Sequence, residues 1–475
     1  MLFNSWEFVA LVAVTFALYY LPALKRWQIH VLIASSFVFY AYHLPSLLAL
    51  LLVSIFINAT ASYLIHNSDD QRLKRLYAVL GVVFNLSILG FFKYNKLIAG
   101  LVVSDLSKLD GLGAMIIALP LPIGVSFYTF EGITLVVDVF RSREKSHSYI
   151  RTRSYLDHLR NTCLFISFFP HLVSGPILKA HDFMPQILPK ILKDVDWGRV
   201  FRYVVLGYFL KMVIADNLKD QTFWVAYPYF QGHSPIVLVL MIFGFVIQIY
   251  SDFAGYSFIA MGIAEIFGYR LPLNFNCPFI SQSFTELWTR WHISLSTFLR
   301  DYLYISMGGN RRGEIRTYFN LIMTMTLGGL WHGATWNFGL WGLVHGIALA
   351  IERPFQKRRS PNARESSWPV KAFKMSFITA YFCFAAMFFK IPEFSHLILY
   401  VKTIFLNWSV QTSKTISLSI LMFSLPVFLY HMLYLFNRKY GESFYKKIEY
   451  VLFGGMLFLI LVNKGDAGAF IYFQF

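Results

Sequence analysis

Two histidines carry most of the chemical potential of this chain. His332 stands in Leu330-Trp331-His332-Gly333-Ala334-Thr335-Trp336, and His292 stands 40 residues earlier in Arg290-Trp291-His292-Ile293-Ser294-Leu295-Ser296. The run Thr317–Ile351 contains no Lys, Arg, Asp or Glu, so its titratable bases are His332 and His345. An ionisable group at bilayer depth is costly and marks a candidate functional site. A neutral imidazole accepts a proton near pH 7, and burial disfavours the imidazolium. His332 is therefore suited to act as a general base. The alternative is a hydrogen-bonded core histidine. His292 is suited to polarise a carbonyl, to hold a substrate or to orient His332, or else it anchors its own helix.

The remaining polar candidates are less specific. Asp301 adjoins Arg300, and Asp252 lies inside a long apolar window; each either orients a histidine or forms a buried ion pair. Glu131 and Asp138 present the same choice, and His171 and His345 read as packing or hydrogen-bonding residues. Arg311, Arg312 and Arg316 follow a Gly308-Gly309 turn. Such a turn plus guanidinium groups can bind phosphate, and the same charges can serve membrane topology alone. A zinc site needs three or four ligands, and no third His or carboxylate is tied to the two histidines by spacing. Cys163, Cys277 and Cys383 are far apart and form no CxxC pair, which predicts three inert buried thiols.

The elements that hold these residues are helices in a membrane. Of 475 residues, 57% are hydrophobic and 14% charged, against roughly 25% charged in soluble domains. Apolar windows at Trp6–Leu24, Ser46–Ile65, Leu76–Phe92, Val200–Ala215, Pro235–Gly268, Ala372–Phe389, Thr415–Phe436 and Val451–Val462, with longer or broken ones between, predict an all-α polytopic protein. The length rule gives roughly ten to twelve membrane helices, with re-entrant or interfacial segments around a central cavity. The runs are continuous rather than alternating, which argues against a β-barrel. The first window carries Glu7 and lacks a basic leader region, so it reads as a retained helix. The net charge of +17 is assigned to basic loops beside anionic lipid rather than to nucleic-acid binding.

Basic breaks at Arg141–Arg153, Arg311–Arg316 and Arg353–Lys374 should all face the cytosol. Thr317–Ile351 would then begin and end on one side. Its 35 residues are too few for two full crossings of about 20 residues each plus a turn. A pair of short or broken helices meeting near His332 is predicted, with Gly328-Gly329 and Gly333 as its flexible points. The alternative is one long tilted helix. Gln282–Tyr304 is amphipathic, with Leu287, Trp291, Leu295 and Leu299 at i, i+4 spacing, and reads as one interfacial or half-inserted helix. The loop Gly308–Gly313 should end it. Gly339, Gly342 and Gly346 make a smooth helix face for close packing.

Together these blocks resemble the membrane-bound O-acyltransferase (MBOAT) family, in its bacterial polysaccharide O-acetyltransferase branch. The match rests on Trp331-His332-Gly333, on Arg290–Ser296 followed by Leu299-Arg300-Asp301-Tyr302-Leu303-Tyr304 and Gly308-Gly309-Asn310-Arg311, on Phe169–Ile177, and on Asp252–Ser257. It runs nearly the whole length as a single domain of 1–475, densest over 121–352. Phe258 stands where the pattern suggests an acidic residue. The resemblance implies His332 and His292 as catalytic residues, acetyl-CoA as acyl donor and no tightly bound cofactor. It also implies a bacterial inner-membrane location, and a periplasmic partner with an SGNH-hydrolase-like acetyltransferase domain that serves a polysaccharide acceptor: alginate, cellulose, peptidoglycan or another exopolysaccharide. Phe470, Tyr472 and Phe475 form an F-x-Y-x-x-F ending that resembles a family relay motif, in which the phenol carries the acyl group; an interfacial aromatic anchor is the alternative. A different class of function, a transporter or flippase with proton-coupling histidines, stays open on composition, although no inverted repeat is visible.

Overall fold

A computed structural model describes residues 1, 3–102, 111, 121–141, 154–173, 175–358, 366–441, 443–466, 468 and 470. Among these residues the chain is helical, without a β-strand. Two compact units are present, one formed by Met1–Val204 and Ser257–Pro272 and the other by Val205–Tyr256 and Leu273–Phe475.

The first unit contains α1 (Trp6–Tyr20), α2 (Gln28–Ala41), α3 (Ser46–Asn67), α4 (Gln71–Val102), α5 (Val125–Phe140) and α6 (Tyr155–Ser167). Ser5 caps α1 by accepting from the Phe8 amide. Pro22 follows the end of α1, and the chain bends by 99° between Trp6–Tyr20 and Pro22–Ala41, because proline lacks the amide that would continue the helix. Lipid tails give no hydrophobic drive between helices, so close approach and side-chain hydrogen bonds hold them together. Asn58 of α3 and Asn85 of α4, both fully buried, exchange amide hydrogen bonds of 3.2 and 2.7 Å. Ser62 meets His158 of α6 at 2.8 Å.

Glu131 and Asp138 lie two turns apart on α5, and each faces a histidine. Glu131 is 2.8 Å from His171, and Asp138 is 2.6 Å from His181. Each carboxylate thus meets a histidine within this unit, which fits both alternatives the sequence left open; the partner His181 had no sequence signal. Phe258 is buried and stacks on Tyr203 at 5.9 Å between centroids.

The second unit contains most of a helix that starts as α7 (Trp197–Tyr208), widens to a π-helical stretch at Phe209–Ala215 and resumes at Asp216–Thr222. It continues with α8 (Pro235–Ile266), whose end from Ser257 belongs to the first unit, and with α9 (Phe284–Arg290), α10 (Ile293–Phe298), a π-helical turn Leu299–Tyr304, α11 (Glu314–His332), α12 (Trp336–Arg358), α13 (Trp368–Lys390), α14 (Phe394–Leu406), α15 (Lys414–Tyr440) and α16 (Ser443–Val462).

Among the described residues, five helices are long and apolar enough to cross a bilayer: Ser46–Asn67, Gln71–Asn95, Pro235–Ile266, Trp368–Lys390 and Lys414–Tyr440, with the bent pair at the start as a sixth. The protein is a multi-pass membrane protein. The sequence count of ten to twelve included windows that are helical but interrupted. Val200–Ala215 carries Lys211 within a π-helical stretch, and Val451–Val462 belongs to a helix that also holds Lys446, Lys447 and Glu449.

Two expectations are corrected. Gln282–Tyr304 is not one helix; it breaks at Trp291-His292 into α9 and α10. Gly328-Gly329 is not a flexible point either, since α11 runs through both and ends at His332, with the turn at Gly333. The predicted helix pair is present as the hairpin α11–α12. Of the three thiols, Cys277 is buried while Cys163 and Cys383 are half-buried.

Candidate active site

The site is built on the α11–α12 hairpin, which closes tightly because its facing residues have no side chains. A Cβ on Gly342 would lie 2.1 Å from the Met325 carbonyl oxygen, and one on Gly346 would lie 2.8 Å from the Ile322 Cα. At the tip, a Cβ on Gly333 would lie 2.1 Å from the Phe338 ring. At the other end, Glu314 of α11 accepts from Arg353 at 3.4 Å and also from Lys357, both on α12. Both ends of the hairpin are therefore held together, as the charge pattern requires. At 1.5 Å per residue, His332 lies roughly 27 Å along α11 from Glu314.

His332 is 4% exposed and stands in an aromatic box. Its ring centre is 4.9 Å from Trp331, 5.1 Å from Trp341 and 5.3 Å from Phe389. The His292 ring centre is 6.3 Å away. An imidazole nitrogen reaches a hydrogen-bonded atom roughly 4 Å from its ring centre, so a group the size of a hydroxyl or an acetyl carbonyl can touch both rings.

His292 reaches that place by a backbone conformation that L-residues seldom adopt, with φ 44° and ψ 54°. Histidine, like Asn and Asp, is more often found there than most residues, but the position still carries strain. The bend is braced on both sides by one upstream strip. The Ile293 amide donates to the Asn274 carbonyl at 2.9 Å, and the Asn276 amide donates to the Arg290 carbonyl at 2.9 Å. Ser294 Oγ donates to Asn274 Oδ1 at 3.0 Å. Arg290 donates to the Asn276 carbonyl at 3.0 Å and pairs with Glu286 at 2.9 Å. Between α9 and α10, the ring is 1% exposed and lies 4.7 Å from the Phe253 ring centre. Burial pushes its pKa down to about 3, so it is neutral at physiological pH.

A cavity of about 470 Å³ runs to His332. One face of α11 lines it through Leu321, Thr324, Met325, Gly328 and His332, at helical i, i+3/i+4 spacing. Trp288 and Thr289 of α9 and Trp341 of α12 form further walls. Near the charged base of the hairpin the lining becomes polar, with Arg300, Arg353, Gln356, Thr285 and Tyr304. Glu352 secures this end by accepting from the Phe284 and Thr285 amides at 2.7 and 2.9 Å, which also caps α9.

The sequence candidates divide accordingly. His332 and His292 come together. Asp301 pairs with Arg300 at 2.8 Å, beside the polar end of the cavity. Asp252 pairs with Lys211 at 2.8 Å, so ion pairing accounts for it. Arg311, Arg312 and Arg316 are exposed and are not among the cavity residues; Arg316 lies over the Phe319 ring at 5.2 Å. Tyr472 lies outside the described residues. His345 is fully buried, 4.8 Å from Trp341 and 5.1 Å from Trp288 by ring centres, as a packing residue would be. Asn274, Asn276 and Lys211 were not singled out from sequence, and Arg353 was read only as part of a basic break. Apart from Asp216, five residues after Lys211, their partners are distant in the chain and leave no local spacing to read. Among the described residues no three His, Cys, Asp or Glu side chains converge on a metal-sized space.

The chain matches the MBOAT, membrane-bound O-acyltransferase family, over residues 32–391. It is 38% identical to a probable alginate O-acetylase of Azotobacter vinelandii over 368 residues, covering 76% of this chain and 70% of that protein. It is 35% identical to a peptidoglycan O-acetyltransferase of Helicobacter pylori over 352 residues, covering 70% of this chain and 64% of that protein. A teichoic acid D-alanyltransferase of Streptococcus thermophilus is 30% identical over 254 residues, or 50% of this chain and 58% of that one. The chain is an acyltransferase and belongs to the membrane-bound O-acyltransferase family.

Proposed function

We propose that this protein takes an acetyl group from cytosolic acetyl-CoA and passes it through the bacterial inner membrane toward an extracytoplasmic polysaccharide. One observation supports this above the rest: a single cavity joins a cationic mouth at the base of the hairpin to His332 at its tip, whose ring centre is 6.3 Å from that of His292. Arg300 and Arg353 at the mouth suit the phosphates of coenzyme A, and the apolar walls beyond suit its thioester arm. The relatives point to a saccharide hydroxyl as final acceptor, since two are named for alginate and peptidoglycan O-acetylation.

In this reading His332 takes the proton of the accepting hydroxyl as its oxygen attacks the thioester carbonyl. An ester C–O bond forms, the C–S bond breaks, and the proton passes from His332 to the departing CoA sulfur. Neutral His292, on the other side of a small reacting group, positions the carbonyl or its acceptor. Tyr472 would be the first acceptor, because a phenol of pKa about 10 leaves its ester more readily than an alcohol. A periplasmic hydrolase-like partner would complete delivery.

The test uses membranes carrying the full protein and labelled acetyl-CoA. Wild-type membranes should consume the thioester, and His332→Ala should lower that rate by roughly 10²–10⁴-fold at normal protein levels. A His332→Ala protein that works at the normal rate would sink the assignment. Tyr472→Phe keeps the ring and removes the hydroxyl; it should abolish polysaccharide acetylation, and full activity would leave the residue an interfacial anchor.

A further inference from the structure

Lys211 is 2% exposed, an unusual place for a lysine. Its ammonium donates to Asp216 Oδ1 at 2.7 Å and to the Gly468 carbonyl at 3.1 Å, and it forms an ion pair with Asp252 Oδ1 at 2.8 Å. These three partners belong to three stretches of chain: the helix that carries Lys211, α8, and the C-terminal segment. The π-helical stretch Phe209–Ala215 widens the backbone at this point, and such bulges favour functional sites. Its Met212 carbonyl accepts from the Gly465 amide at 2.9 Å. Asn217 donates to the Asn463 carbonyl at 3.0 Å, and Lys219 donates to the Asp466 carbonyl at 3.0 Å. One side of a single helix thus holds the segment 463–468 through four hydrogen bonds.

Where that segment leads gives the contacts a purpose. Phe470 is fully buried. Its ring centre is 4.5 Å from Tyr256, whose ring lies 5.5 Å from the Lys211 ammonium, and 5.7 Å from Phe253. Phe253 in turn contacts His292. Lys211, Phe470 and His292 are joined by one continuous set of contacts through Tyr256 and Phe253.

We infer that Lys211 is a positioning residue for acyl transfer: with Asp216 and Asp252 it forms a buried lock that fixes the C-terminal segment against the ring stack ending at His292. The lock acts through the segment and touches no reacting atom. The inference rests on the acetyl-transfer reading above.

The test compares Lys211→Met with wild type in membranes, measuring kcat and the KM for acetyl-CoA. Lys211→Met should keep the KM and lose about tenfold in kcat, the scale of the one charge-assisted hydrogen bond that the ammonium gives the segment at Gly468. Asn217→Cys with Asn463→Cys, joined by a short bifunctional thiol reagent in the Lys211→Met background, should restore most of kcat. A merely structural lysine would not be rescued that way. Amide exchange over 463–470 reads the lock without activity, and should speed up in Lys211→Met. Normal kcat, unaltered exchange, or a loss that the cross-link leaves in place would each overturn the inference. Wild-type membranes that consume no acetyl-CoA would overturn the acetyl-transfer reading instead, and the exchange result would still judge the lock.

Discussion

At the scale of single residues, His292 combines a chemical group with a backbone constraint, and substitutions there change both. His292→Ala removes the imidazole and places alanine in a left-handed conformation. His292→Asn removes the imidazole but supplies a residue that accepts the conformation more readily. Both variants should lose acetyl transfer, while the asparagine protein should unfold at the higher temperature in detergent, by the equivalent of about 1 kcal/mol. Equal melting temperatures would mean that the bend at Trp291-His292 carries no strain of consequence. The bend itself was not legible from the chain. Leu287, Trp291, Leu295 and Leu299 are all buried, as one amphipathic helix requires, but two short helices around a braced turn bury them equally well. The brace comes from Asn274 and Asn276, and a tertiary hydrogen bond leaves no periodicity. The motif around His332 could be read because its meaning is local: a base, a glycine and flanking tryptophans inside a run without charge.

At the scale of elements, the hairpin depends on what its glycines lack. Gly342 faces backbone: its Cβ would meet the Met325 carbonyl oxygen at 2.1 Å. Gly339 faces only the end of the Leu330 side chain, at 3.2 Å. Gly342→Ala must therefore part the two helices, at the roughly 1–3 kcal/mol typical of overpacking, and should lower both thermal stability and activity. Gly339→Ala can be absorbed by a rotamer change and should leave both close to wild type. Similar losses in the two variants would refute this account of the hairpin. The small-residue face and the stop at Gly308–Gly313 were visible in sequence because they rest on residue type alone. The site of the turn was not, since Gly328, Gly329 and Gly333 are equally permissive and the tip is chosen by the packing of Phe338 against Gly333.

At the scale of the whole molecule, positive charge lies in two settings that net charge cannot distinguish. Arg300 and Arg353 line the cavity, while Arg311, Arg312 and Arg316 lie on an exposed turn and the helix start beside it. Arg300→Ala with Arg353→Ala should raise the KM for acetyl-CoA several-fold, with a weaker salt dependence than wild type. Arg311→Ala with Arg312→Ala should leave both unchanged. The opposite pattern would return donor binding to the glycine turn. The clasp of Glu314 on Arg353 and Lys357 also has a bearing on how the polypeptide is threaded. A hairpin whose two feet are pinned together adds an even number of passages, or none, to the path of the chain. Side-specific reporters inserted just before Glu314 and just after Arg358 should therefore report the same compartment. Excising everything between them should leave every later helix facing the way it did, so the orientation of the rest of the protein does not depend on the hairpin.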